Sequence, residues 1–290
     1  MRPDEPLTAG AEAEAHSDAD AARAGRTRTL SIVVPVRHDR DRLERLLASV
    51  GAQSVAPDEV VIVDNGGNGD LGPLAARYGC RVVPEPVVGI PAATSTGLDA
   101  AAGDLLARVD ADTVLPPDWV RAAHERFADP AVEVATGWAW LPSAPPLASR
   151  LLITAYLGGY TVLAGVALGH RPLWGSSVVL RRDLWLAVRD DVCRDDQRVH
   201  DDLDLSIHLP PGTRVLRDPR LSVGVSMRPF RHPGKLWRDA SMGVHTFARH
   251  WPEELPPYRW ARIARARRAQ ARSGGRTSSQ PACGVSQVSR

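Results

Sequence analysis

The chain has 290 residues, of which 43% are hydrophobic, enough to fill one large core or two fused halves. Its 36 basic residues against 34 acidic ones give no global nucleic-acid signature, although the basic residues are nearly all arginine and gather late, Lys235 being the only lysine. Cys80, Cys193 and Cys283 are widely spaced and odd in number, which supports neither a disulfide framework nor a thiolate zinc site and fits a reducing cytosol.

Residues 1–28 are rich in Ala, Asp, Glu and Arg, lack a basic-then-apolar signal pattern, and read as a disordered leader. TLSIVVPV, residues 29–36, reads as a first strand buried on both faces. Leu43, Leu46, Leu47 and Val50 then fall at helical spacing. A second buried strand, Val60 to Val63, ends in Asp64 and an Asn65-Gly66-Gly67 turn. A short helix around residues 74–78, a strand over 81–83 and a helix of small residues over 89–102 lead to the apolar run of Leu105, Leu106, Ala107 and Val109. Strands alternating with helices predict an α/β fold: a doubly wound, mostly parallel sheet flanked by helices.

That apolar run stops at Asp110-Ala111-Asp112, two carboxylates where a strand passes into a loop. In an open parallel sheet this carboxyl edge is where ligands bind. Paired carboxylates are costly to hold together without a cation or donors between them. Oxygen ligands suit Mg²⁺ or Mn²⁺, so Asp110 and Asp112 read as a metal–diphosphate site, with Asp64 a further carboxylate on the same edge.

Pro116 and Pro117 open another helix, and residues 132–141 read as one strand. SAPP, residues 143–146, is the candidate boundary between a first half, 29–142, and a second half, 143–251. Residues 151–169 carry no charge and admit three readings: a membrane span, an interfacial helix or a buried helix. Thr154, Tyr156, Tyr160, Thr161 and four glycines lower their hydrophobicity, which favours burial with a face touching a bilayer. Residues 173–185 read as a turn, a strand and a helix start. Residues 199–209 read as a helix with Asp201, Asp202 and Asp204 in its first turn, where the helix dipole alone favours carboxylates. Arg228, Arg231, His232 and Lys235 share a loop before a last helix. From 252 to 290 the chain is Arg-rich, then Ser- and Gly-rich, and reads as a disordered tail open to a basic contact with anionic lipid.

In this order, SIVVPV, DEVVIVDNG, the run from Gly89 to Asp104, DADTVLPPDW and HDDLDL resemble the family 2 glycosyltransferases of the GT-A fold, over about residues 30–251. The resemblance implies inverting transfer of a sugar from a nucleotide-diphosphate donor. Asp112 would hold the divalent ion and Asp110 would orient ribose or metal-bound water, while Asp64 and the main chain of Pro35 and Val36 would receive the nucleotide. The family's acidic pair falls at Asp201-Asp202, which makes Asp202 the base that takes the acceptor's proton and Asp201 its neighbour. Arg228 and Arg231 are candidates to lie over the diphosphate, since the guanidinium fork suits phosphate. Two departures stand out: Ala93 is followed by Thr94 and Ser95 where the family carries Arg-Asn, and a Gly-x-Asn pattern appears as Gly175-Ser176-Ser177. His200 and His208, beside the acids, read first as structural histidines.

The expected partners are a nucleotide-sugar donor and an acceptor the sequence does not identify, for which residues 151–169 and the basic tail make an envelope or lipid-linked molecule plausible, with no nucleic acid, in a cytoplasmic protein open to peripheral membrane contact. Two other readings compete. One is a degenerate nucleotide-sugar binder, motivated by Thr94, Ser95 and Ser177. The other is a nucleotidyltransferase, which wants a glycine-rich triphosphate loop that Arg37-His38-Asp39-Arg40 does not provide.

Overall fold

The computed structural model describes residues 28–228 and 233–274. The leader expected over 1–28 therefore falls outside the described residues but for its last one, and Arg231, Cys283 and the end of the expected tail lie outside them too.

Seven strands form one mixed sheet in the order β3–β2–β1–β4–β7–β5–β8. They are β1 (Leu30–Val36), β2 (Glu59–Asp64), β3 (Arg81–Pro84), β4 (Leu105–Arg108), β5 (Val134–Thr136), β7 (Val178–Arg181) and β8 (Val215–Arg217). All neighbours run parallel except β7, which is antiparallel to both β4 and β5. Strands from both sides of residue 142 thus share this sheet. A strand buried on both faces sends alternate side chains to opposite sides. Ile32, Val34 and Ala107 pack with helices α1 (Arg40–Gly51), α2 (Gly72–Tyr78) and α4 (Trp119–Phe127). Val33 and Leu106 pack on the other face with α3 (Ile90–Ala100), α6 (Arg182–Val188) and α7 (Asp201–His208).

The strand expected over 132–141 is two strands in two sheets. β5 ends at Thr136, and β6 (Ala139–Trp140) pairs with β9 (Val223–Gly224) instead. The break is at Gly137, where an added Cβ would lie 1.9 Å from the Leu221 carbonyl, so the crossing chain fits only against a residue without a side chain. Helix α5 (Pro146–Leu168) buries Ile153 and Leu157 against β6, and Ala164 and Leu168 against Leu203 and Ile207 of α7. Helix α8 (Pro233–Arg249) adds Phe247 to that second cluster.

The expectation of a disordered segment from 252 is corrected over α9 (Pro256–Gly274), which is helix. Arg259 explains its docking. Only 4% exposed, it donates to the carbonyls of Leu168, Ser206 and Ile207 and pairs with Glu254 at 2.6 Å.

Candidate functional site

Register places the carboxyl ends of β1, β2 and β4 together, with Val36 beside Asp64 and Val33 beside Arg108. Arg108 shares its face with Leu106 and so points toward α3 and α7, into what would otherwise be apolar core. An arginine there cannot shed its charge and must be paired. Its guanidinium lies 3.0 Å from Asp110 Oδ1 and 3.1 Å from Asp201 Oδ2. Burial alone would lower its pKa, but Asp110, Asp201, Asp202 and Asp112 together hold it above the usual arginine value. Four acids, from the β4 loop and the start of α7, thus share the field of one buried cation.

The connection before β7 ties these acids from the other side. The Gly175 N–H donates to Asp202 Oδ2 at 2.7 Å, and the Ser176 hydroxyl donates to Asp110. A Cβ at Gly175 would sit 1.9 Å from Arg108 Nη1, so any side chain there would have to displace the guanidinium from its two acids. Ser177 is fully buried and donates to the Leu221 carbonyl at 2.7 Å, so it supports the site from beneath. On α3, the Thr94 hydroxyl donates to Asp201 Oδ2 at 2.8 Å. Thr94, Arg108, Gly175, Asp201 and Asp202 border a small recess partly open to solvent, whose enclosed part is about 20 Å³.

Asp202 is buried, and its Oδ1 lies 2.6 Å from Nδ1 of His200. Burial would raise the carboxyl's pKa, yet His200, with Arg108 and the Gly175 N–H, holds it below the usual value. Burial likewise opposes a charged His200, and Asp202 overrides it, pushing the imidazole up to about 9. The backbone N–H of His200 donates to the Thr246 hydroxyl at 2.9 Å, and the His200 ring stacks on Tyr160 of α5. Asp110 is shifted the other way. Burial and the nearby Asp112 raise it, outweighing Arg108 and Ser176.

Asp112 accepts from Ser226 at 2.6 Å and from Arg228 at 2.9 Å, and Arg228 also reaches Asp39 just after β1. Asp64 stands two strands from β4, about 10 Å at ordinary strand spacing. It accepts from the Gly66 N–H at 3.0 Å and from Asn68 at 2.6 Å. The Val36 side chain is buried, and its carbonyl accepts from Asn65 and Asn68 at the turn. Asp110, Asp112, Asp201 and Asp202 are therefore gathered, Arg228 lies against Asp112, and Asp64, Pro35 and Val36 line the same edge farther along.

Asp110 and Asp112 suit a divalent ion. Their side chains are 34% and 21% exposed, and they offer hard oxygens beside a rim where a diphosphate could supply more. Ligand atoms of His200, Asp201 and Asp202 also lie within 4.8 Å of one another, but the His200–Asp202 ion contact already accounts for that closeness. Sequence reading passed over Arg108, Asp39 and Ser226. For Arg108 a signal existed, an arginine inside an apolar strand two residues before an acid. For Asp39 and Ser226 none did.

Residues 31–165 match the family model described as glycosyl transferase family 2. An uncharacterized glycosyltransferase of Mycobacterium tuberculosis is 34% identical over 83 residues, covering 29% of this chain and 36% of that protein. The glycosyltransferase GlyA of Streptococcus pneumoniae is 23% identical over 37% of this chain and 16% of its own length. The chain thus aligns with about a third or less of each curated relative. Among solved structures, a mannosyltransferase from Pyrobaculum calidifontis, in complex with GDP-Man and Mn²⁺, superposes with a TM-score of 0.58 at 20% identity, covering 92% of this chain and 83% of that one. Glucosyl-3-phosphoglycerate synthase from Mycobacterium tuberculosis, in complex with Mn²⁺, UDP and glucosyl-3-phosphoglycerate, gives 0.52 at 20% identity, over 86% of this chain and 84% of that one. Residues 31–165, a little under half of the chain, are thus similar to the family 2 glycosyl transferases, and the sheet order with the two superpositions gives the chain a GT-A fold.

Proposed function

We propose that the protein is a metal-dependent, inverting glycosyltransferase that takes its sugar from a nucleotide-diphosphate donor. The observation that carries this reading is the convergence of Asp110, Asp112, Asp201 and Asp202 around Arg108 at the sheet's carboxyl edge. The Mn²⁺ complexes of the two superposed enzymes, one with GDP-Man and one with UDP, support it.

Asp112 and Asp110 would hold Mg²⁺ or Mn²⁺, which as a Lewis acid stabilises the charge that builds on the departing diphosphate. Asp64, with the main chain at Pro35 and Val36, receives the base and ribose. Asp202 takes the proton of an acceptor hydroxyl as that oxygen attacks the anomeric carbon on the face opposite the leaving diphosphate. His200 keeps Asp202 ionised while it waits for the proton, and Arg108 with Thr94 fixes Asp201 next to it. Arg228, paired with Asp112 and Asp39, is placed to exchange those carboxylates for donor phosphate oxygens.

Asp112→Ala should abolish both donor hydrolysis and transfer with Mn²⁺ or Mg²⁺ across a panel of nucleotide sugars; turnover equal to wild type would defeat the proposal. A nucleotide-sugar binder without transfer is the second reading. It is favoured by the contacts that already occupy Asp202, the ion contact with His200 and the Gly175 N–H. Calorimetry showing metal-dependent donor binding, with no product after long incubation, would select it.

A further inference from the structure

We propose that the outer face of α5, together with the arginines of α9, docks the protein flat on an anionic lipid bilayer. This rests on the surface and not on the transfer chemistry.

Helix α5 is the one helix, among the described residues, long and apolar enough to cross a membrane. One side of it is built into the core, with Ile153 and Leu157 2% exposed and Leu168 fully buried, which leaves only the other side for a bilayer. A surface helix normally turns charges outward. Here the outward stripe is Leu147, Leu151, Val162, Leu163 and Val166, each at least 60% exposed, and no charged residue interrupts residues 151–169. At 1.5 Å per residue the helix runs about 35 Å, so the stripe is longer than the scattered apolar residues of an ordinary soluble surface.

What lies beside the stripe identifies its occupant. The Trp260 indole N–H donates to the Val166 carbonyl at 2.9 Å, which fixes α9 against the end of α5. Trp260 and Tyr258 stay 45% and 64% exposed there, and aromatic rings with a polar edge favour the headgroup level of a bilayer. From this anchor α9 carries Arg265, Arg267, Arg268 and Arg272, all exposed and free of carboxylate partners among the described residues. Neither α5 nor α9 contains an acidic residue. A second copy of the chain would bring no counter-charge on these helices, whereas anionic headgroups supply it along with an apolar layer for the stripe.

Sedimentation of the full chain with vesicles tests this. With phosphatidylcholine vesicles containing about a third phosphatidylglycerol, the protein should pellet, and raising the salt should release part of it. Leu151→Glu with Leu163→Glu should weaken binding at least tenfold, and Arg267→Glu with Arg268→Glu several-fold. All four side chains face solvent, so unchanged circular dichroism and melting temperature are expected of both variants. Failure to bind anionic vesicles, or binding that both variants retain in full, overturns the proposal. So does a wild-type dimer in analytical ultracentrifugation that the leucine variants convert to monomer, since a second copy would then be the occupant.

Discussion

Removing the guanidinium of Arg108 would leave Asp110 and Asp201 facing each other across a buried gap, with Asp202 and Asp112 close behind. Breaking one partner out of a buried ion pair typically costs about 3–5 kcal/mol. Arg108→Met should therefore lower the urea-derived stability by that order, and Arg108→Lys by less, since an ammonium keeps the charge but cannot span both carboxylates. A loss below about 1 kcal/mol for the methionine variant would mean that the acids are held by something else. Gly175→Ala drives a methyl into the same guanidinium and should lower kcat more than it raises KM. The ion pair beneath Asp202 makes a second residue-scale prediction. His200, raised to about 9 from an ordinary 6.5, contributes stability that is fully present below 6.5 and fades as pH rises through about 9. Asp202, lowered below 3.8, contributes above that value and fades as pH falls through its folded value. The free energy of unfolding, followed by denaturant titration, should thus decline between about pH 7 and 9 in wild type, by up to about 3 kcal/mol. His200→Asn should flatten that decline and move the acid limb of transfer upward, because Asp202 loses its cation.

Among the elements, those with a strong pattern were readable in the sequence: β1, α1 and β2 stand where the unbroken apolar runs and the leucine spacing put them. Other features lacked a local signal. Three apolar residues and an arginine, Val178–Arg181, say nothing about direction, and β7, reached after α5, runs antiparallel to both its neighbours. β8 has three residues and a Pro-Pro-Gly approach, too little for any pattern. The acids of the site were readable because strand ends and helix starts have composition signatures. Arg108 was hidden by the apolar run around it, and Arg259 by the basic run around it, although burial distinguishes Arg259 from its neighbours. Arg259→Ala should undock α9, because the carbonyls of Leu168, Ser206 and Ile207 lose their donor at about 1–3 kcal/mol each if they stay buried. Hydrogen exchange across 256–274 should then rise by orders of magnitude while β1 and β2 stay protected. Equal protection in both regions would show that Trp260 and Ile263 suffice to hold the helix.

At the scale of the whole molecule, the site brings together acids that repel one another, and two arginines with one histidine offset them in the absence of ligand. A divalent ion at Asp112 must compete with Arg228 for the same carboxylate, while a donor diphosphate offers Arg228 new oxygens. Ion and nucleotide should therefore stabilise the fold together more than the sum of each alone, since each removes the cost the other meets. A ligand at a hundred times its Kd adds about 2.7 kcal/mol, which for a chain of this size raises Tm by several degrees. Melting curves with Mn²⁺, with a nucleoside diphosphate and with both should show a shift for the pair exceeding the two separate shifts. In Arg228→Met the ion alone should shift Tm more than in wild type, because its competitor is gone, and the nucleotide should add less. Additive shifts in both proteins would mean that Arg228 does not move between Asp112 and the donor.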